Sequence, residues 1–341
     1  RRRIRRLEVA RGLSEAAEDP ALLGDADRLG DPALRCEARM ALAGVLPPAR
    51  AMALAGEAVA LAEPCGPALE FAARVLRVEL CHAAGRDALP QAEHDLTRAL
   101  ALAVSTGSTW QQIHTEGDLA VLEAELGRVE DAIARLLRLV ELADAKGMGG
   151  QSRLLRHNLS TCLMRARRPG EAAEAAGRTA ELAAEAGDPA LRAAALSLRA
   201  YALRHTGELD EALGNASAAE QIQRALGDRP MRTHTLLRRA EILAALGREE
   251  EALSDAREAR RAAEQGGDMG VAATAALWEK LHLARRGEAA PEELARAVAD
   301  AELAGVGRRA LAQRLMDEAA AWLARCEATV GPRRQGGAGW R

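Results

Sequence analysis

Alanine and leucine fill most apolar positions of this chain, and glycines punctuate them at regular intervals. β-Branched residues are few and nowhere alternate with polar ones over a strand length, so the pattern predicts helices and no sheet. One glycine series runs Gly127, Gly207, Gly247 and Gly287. Its clearest copy opens an acidic, Ala-containing segment, Gly207-Glu208-Leu209-Asp210-Glu211-Ala212. Arg167-Arg168-Pro169-Gly170-Glu171-Ala172 keeps the same phase with its glycine displaced, and Gly85 and Gly44 extend the series backwards. A second series, Gly107, Gly147, Gly187, Gly227, Gly267 and Gly307, steps by 40 residues. Several of these precede a helix-start signal such as Gly187-Asp188-Pro189, where Asp can cap and Pro fits the first turn.

Two turns per repeat mean two helices, each about 16–18 residues long. The predicted starts lie near residues 32 and 48, 67 and 88, 108 and 129, 149 and 169, 189 and 209, 229 and 249, then 269 and 291. That makes seven pairs over residues 29–306. An amphipathic segment over 307–327 is expected to cap the open end, 1–28 to form irregular helices or the end of a preceding domain, and 328–341 a disordered tail. Columns between the glycines predict the packing. Ala132, Ala172, Ala212 and Ala252 open the second helices, while Ala120, Ser160, Ala200 and Ala240 form a small-residue column in the first. Leu163, Leu203, Leu243 and Leu283 recur one turn before the first-helix glycine. Burying each such leucine is worth about 1.5–3 kcal/mol, and no pair covers its apolar face alone.

These columns resemble the tetratricopeptide repeat, which places small residues and a Gly-x-x-x-Glu-Ala turn as at Ala200, Gly207, Ala212 and Ala219, and again at Ala240, Gly247, Ala252 and Ala259. The resemblance covers about residues 30–305 and implies an all-α fold, a right-handed α-α superhelix. Two departures stand out. The step is 40 rather than ~34 residues, and Leu or Ala stands where the family has Trp and Tyr. The longer repeat is similar to the C-terminal sensor arms of large bacterial signal-transduction ATPases and regulator kinases.

Composition narrows the function. The 341 residues are 48% hydrophobic, 28% charged and 2% aromatic, with a formal net charge of −3. Acids and bases are mixed throughout, which is not the footprint of a nucleic-acid binder. No stretch approaches the ~20 apolar residues of a membrane span, and the basic start from Arg1 to Arg6 lacks a signal-peptide core. The chain starts without Met and reads as a piece of something longer. Cys36, Cys65, Cys81, Cys162 and Cys326 have no metal or redox spacing and read as small buried hydrophobes of a reducing cytosol. The sequons at Asn158 and Asn215 fall inside helical patterns. Neither Lys146 nor Lys280 follows glycine as in a P-loop, and no zinc pair, Cys-x-x-Cys or nucleophile elbow occurs. Gly147-Met148-Gly149-Gly150 joins two helices rather than strand to helix. No catalytic residue, metal site or cofactor is expected.

The resemblance implies a concave face lined by the first helix of each pair. Residue by residue it places Glu79, His82, His114, His157, Tyr201, Arg204, His205, His234 and Glu241 there, with His94 and His282 elsewhere. A polar groove accommodates histidine as an ordinary lining residue, but histidine also titrates near neutrality. No two of these histidines share a helix at ligand spacing, which speaks against a metal. Tyr201 is either a groove residue or a core ring with its hydroxyl at the edge, and Trp278 reads as packing. Asn158 matches one position of the clamp with which co-chaperone members hold a peptide C-terminus, but Gly117 and Val121 stand where Lys and Asn are expected. Glu220, Gln223 and Arg224 are expected on the convex, solvent-facing side. The reading is a cytoplasmic, non-catalytic scaffold for a protein or peptide partner or a small-molecule effector, without nucleic acid or membrane. It would serve as the sensor or regulatory arm of a larger signalling or transcription-regulatory protein; a free-standing peptide-binding adaptor is the alternative.

Overall fold

The computed structural model describes residues 30–304 except 45, 47 and 85, together with 23, 24, 27, 28 and 310–330. Fifteen α-helices and no strand occur among the described residues. They are α1 (Pro32–Ala43), α2 (Pro48–Ala62), α3 (Pro67–Ala84), α4 (Leu89–Thr106), α5 (Thr109–Glu125), α6 (Val129–Ala145) and α7 (Gly149–Arg165). Then come α8 (Pro169–Glu185), α9 (Pro189–Thr206), α10 (Leu209–Leu226), α11 (Arg229–Ala245), α12 (Glu249–Gly266), α13 (Met269–Arg285), α14 (Pro291–Leu303) and α15 (Ala310–Val330). Short 3₁₀ turns at Glu63–Cys65 and Arg86–Ala88 precede α3 and α4. The predicted starts agree to within one residue. The expected segment 1–28 and the expected tail lie outside the described residues, apart from 23, 24, 27, 28 and 328–330.

Sequence chemistry sets the helix ends. Asp31, Ser108, Asp188, Asp228 and Asp268 each cap a first helix by accepting a hydrogen bond from a backbone N–H of its first turn. Gly207 closes α9 in the left-handed conformation, at φ 93°. The displaced glycine of the fourth repeat has a structural consequence. Arg167 takes the left-handed position itself, at φ 58°, while Gly170 lies in the first turn of α8.

The chain forms two compact units, Arg1–Arg168 and Pro169–Arg341. Within each, consecutive helices pack on one another. First helices also touch the first helix of the next pair: α1 with α3 and α5 with α7 in unit 1, α9 with α11 and α11 with α13 in unit 2. First helices therefore run along the tighter side of each stack. Close approach is possible because the small-residue columns are fully buried, Ala120 and Ala132 in unit 1, Ala200, Ala212, Ala240 and Ala252 in unit 2. In α5 a side chain at Gly117 would come within 2.8 Å of Leu155 on α7. Helix α15 lays Ala312, Leu315 and Ala319 against a core that includes Trp278, Leu281 and Leu294.

Carboxylates held by arginines lie between the helices of both units. In unit 1, Asp95 is fully buried and accepts from Arg74 (2.9 Å) and Arg77 (2.7 and 2.6 Å), while Glu70 accepts from Arg74 and Arg98. In unit 2, Glu220 is 1% exposed and accepts from Arg224 and from Arg232 of α11. This corrects the expectation that Glu220 and Gln223 face solvent. The side of α10 that carries them is covered by α11 of the next pair, and Gln223 is equally buried. Cys36, Cys81 and Cys162 are buried as expected, whereas Cys65 is exposed because it sits in the 3₁₀ turn between helices, and Cys326 is half-buried.

Candidate functional site

On α5 of unit 1, Ile113, Thr115, Gly117, Leu119, Ala120 and Leu122 are buried, and the stripe Trp110, His114, Asp118, Val121 and Glu125 stays open or half-open. Steps of three and four residues keep that stripe on one face. Trp110 is 51% exposed and stacks on His114, ring centroids 5.0 Å apart. His114 Nε2 lies 3.7 Å from Asp118, and His82 of α3 lies 3.3 Å from Glu125, which also accepts from Arg165 of α7. Burial raises the Asp118 carboxyl, against the attraction of His114 and His82, and Glu79 adds to the rise. Glu125 raises His82 above the ordinary histidine range, against partial burial of the ring. His82 and His114 thus flank Asp118 and Glu125, and the charge of Glu79 acts on Asp118. His157 is half-buried on α7, as is Asn158, and Leu154 on the same helix is 38% exposed. Sequence reasoning missed Trp110, Asp118, Glu125 and Arg165, although Trp110-His114-Asp118 carries an i, i+4 signal.

In unit 2 the predicted residues divide. Tyr201 is half-buried, meets His205 edge-to-face at 4.8 Å, and has the guanidinium of Arg238 5.3 Å from its ring centre. Arg238 Nη1 donates to Ser197 Oγ (2.9 Å), and no carboxylate among the described residues comes within ion-pair distance of it. Burial lowers its pKa. Desolvation and then the Arg204 charge hold His205 below the ordinary histidine range. His234 is half-buried on α11.

Arg204 and Glu241 come together as expected, but away from open solvent. Glu241 is 6% exposed, its Oε1 lies 3.6 Å from Arg204, and it accepts a hydrogen bond from Arg314 of α15. These residues line a cavity of about 390 Å³ with Glu249, Trp278, His282, Arg285 and Glu318. His282, expected elsewhere, is therefore part of this wall. Its position is set by Trp278, which is buried and stacks on it at 3.6 Å, and whose carbonyl is 2.9 Å from His282 Nδ1. Burial lowers the His282 pKa, against that carbonyl. The cavity was not legible because Arg314 and Glu241 are distant in the chain.

Burial pushes the Cys36 and Cys162 thiols up to about 11, so neither forms a thiolate nucleophile near neutrality. Among the described residues, no three His, Cys, Asp or Glu side chains come together as a metal site, and no helix is long and apolar enough to cross a membrane.

No family profile matches the chain, and no curated protein sequence does. Solved structures do. The chain is similar to a Rap protein complexed with competence and sporulation factor, with TM-score 0.69 and 14% identity over 95% of this chain and 86% of that one. It is similar to NprR in complex with its cognate peptide NprX, with TM-score 0.57 and 13% identity over 88% and 86% of the two chains. A signal transduction ATPase with a tetratricopeptide repeat sensor from Pyrococcus horikoshii aligns with TM-score 0.54 and 14% identity; it covers 91% of this chain, which spans 49% of that protein. At these identities the likeness shows the fold, an all-α tetratricopeptide-like stack.

Proposed function

We propose that this chain is a non-catalytic sensor or regulatory arm of a larger signalling or transcription-regulatory protein, and that it takes up a peptide segment of a protein partner along the open stripe of unit 1. The observation that carries the reading is Trp110, a half-exposed indole on His114, on the tighter side of a helix stack. A core-forming tryptophan would be covered, as Trp278 is. Trp110 instead offers a large apolar anchor flanked by His114, Asp118 and Glu125, the composition of a binding hot spot with a polar rim. The fold supports it, since two similar structures, the Rap protein and NprR, are complexes, the second with a peptide. Selection of a random peptide library on the whole chain tests the proposal. Enriched peptides are expected to share an apolar anchor and to bind Trp110→Ala and Leu154→Ala at least about tenfold more weakly. No enrichment, or equal binding to both variants, overturns it.

A further inference from the structure

The cavity of unit 2 presents an arginine whose ion pair is long and shared, and a carboxylate oxygen that accepts no hydrogen bond. Its volume, about 390 Å³, lies within the ~300–1,000 Å³ of small-molecule sites. Arg204 reaches it from α9, half-buried, and makes no hydrogen bond among the described residues. Its nearest carboxylate oxygen, Glu241 Oε1 at 3.6 Å, is already engaged by Arg314. At the start of α12, half-buried Glu249 lines the cavity, and its Oε2 accepts no hydrogen bond. A buried polar atom without a partner is costly and calls for an explanation. Glu249 is also a first-turn acid, which favours its helix dipole. That accounts for its charge at the helix start but not for a carboxylate in the cavity wall whose Oε2 accepts no hydrogen bond.

The other charges of the wall satisfy each other. Arg285 donates to Glu318 (2.7 Å), and Arg286 pairs with Glu250 and Glu288. The ring of His282, backed by Trp278, adds a flat and largely apolar surface. A simple anion would answer Arg204 and leave Glu249 facing a like charge. A simple amine would do the reverse. We infer that the cavity binds a small zwitterion, its carboxylate against Arg204 and Arg314, its ammonium against Glu249, and its short carbon chain over His282. A peptide end carries only one of the two charges, so the ligand class is the free amino acid or a longer ω-amino acid. Helix α15 completes the site by supplying Arg314 and Leu315.

The site is separate from the open stripe of unit 1, so its test does not depend on a peptide partner. Calorimetric titration of the whole chain uses glycine, β-alanine, γ-aminobutyrate and ε-aminohexanoate as probes, with hexanoate and hexylamine as one-charge controls. One chain length is expected to saturate the site, and the controls to bind at least about tenfold more weakly. Arg204→Met and Glu249→Gln should each weaken that zwitterion by about tenfold to a hundredfold without changing the helical signal. Failure of every zwitterion to saturate, equal binding by hexanoate or hexylamine, or unchanged binding by both variants overturns the inference. If a variant does not fold, the ranking of zwitterions against one-charge controls on the unaltered chain decides.

Discussion

In unit 1 the open stripe sets histidines beside carboxylates, His114 with Asp118 and His82 with Glu125. In unit 2 the corresponding helices set them among arginines and aromatic rings, His205 with Arg204 and Tyr201, His282 with Trp278 and Arg285. Beneath these linings the frame is shared. Both units bury small-residue columns, and both hold buried carboxylates between helices with arginines from neighbouring elements. The repeat thus dictates backbone spacing and leaves the lining free to differ, which is why similar folds carry unrelated functions.

The largest effects should fall on the shared frame. Removing one partner from a buried ion network typically costs about 3–5 kcal/mol, because uncompensated charge remains. Asp95→Ala strands Arg77 and leaves Arg74 with Glu70 and Glu63, and Glu220→Ala leaves Arg232 with Glu258 alone. Burial pushes the Glu220 carboxyl up, but Arg224 and Arg232 more than offset this and hold it below the ordinary range. Denaturant titrations of both variants should show losses of that order in each unit. A loss confined to one variant would show that the frame is not shared.

A smaller effect belongs to the alanine columns. Ala212→Leu must force methylenes into the contact between α9 and α10, an overpacking cost of about 1–3 kcal/mol. Gln221→Leu, on the exposed side of the same helix, should change the melting temperature little. A control placed at Glu220 on the strength of its charge would mislead, since that residue is nearly as buried as Ala212.

Glu220 marks where legibility ends. The glycine phase and the capping Asp residues set the helix starts, because both act within a few residues of the turn they form. Burial on a second helix depends instead on the next pair. The polarity of Glu220 points to solvent, yet Arg232 and Arg224 make its burial tolerable. Glu79, His82 and His114 were expected on one face with six other residues because the resemblance assigns first-helix positions to it. The cavity could not be expected, because Arg314 comes from a helix outside the 40-residue register. Arg167 shows the reverse case, where the turn keeps its phase and its left-handed residue although the glycine is displaced.

The smallest predicted effect separates the two linings by sign. The folded pKa of His82 is raised, chiefly by its hydrogen bond with Glu125. Its stabilisation is complete below the unfolded value, ~6.5, and is lost as pH rises through the folded pKa. His205 and His282 have folded values below the ordinary one, chiefly from desolvation. Between the unfolded and folded pKa the unfolded chain binds protons that these folded rings refuse, so their contribution is present above ~6.5 and is lost as pH falls. Raising the pH through neutrality should therefore weaken unit 1 at α3–α5 and not unit 2 at α9 and α13. Histidine titrations followed by NMR check this directly, with His82 expected above the free-imidazole value and His205 and His282 below it. Glu125→Gln should bring His82 down toward that value and leave His205 where it was, because Glu125 acts only on the first. If all three rings titrate together, the linings do not differ in electrostatics, and the contrast between the units reduces to the shape of their surfaces.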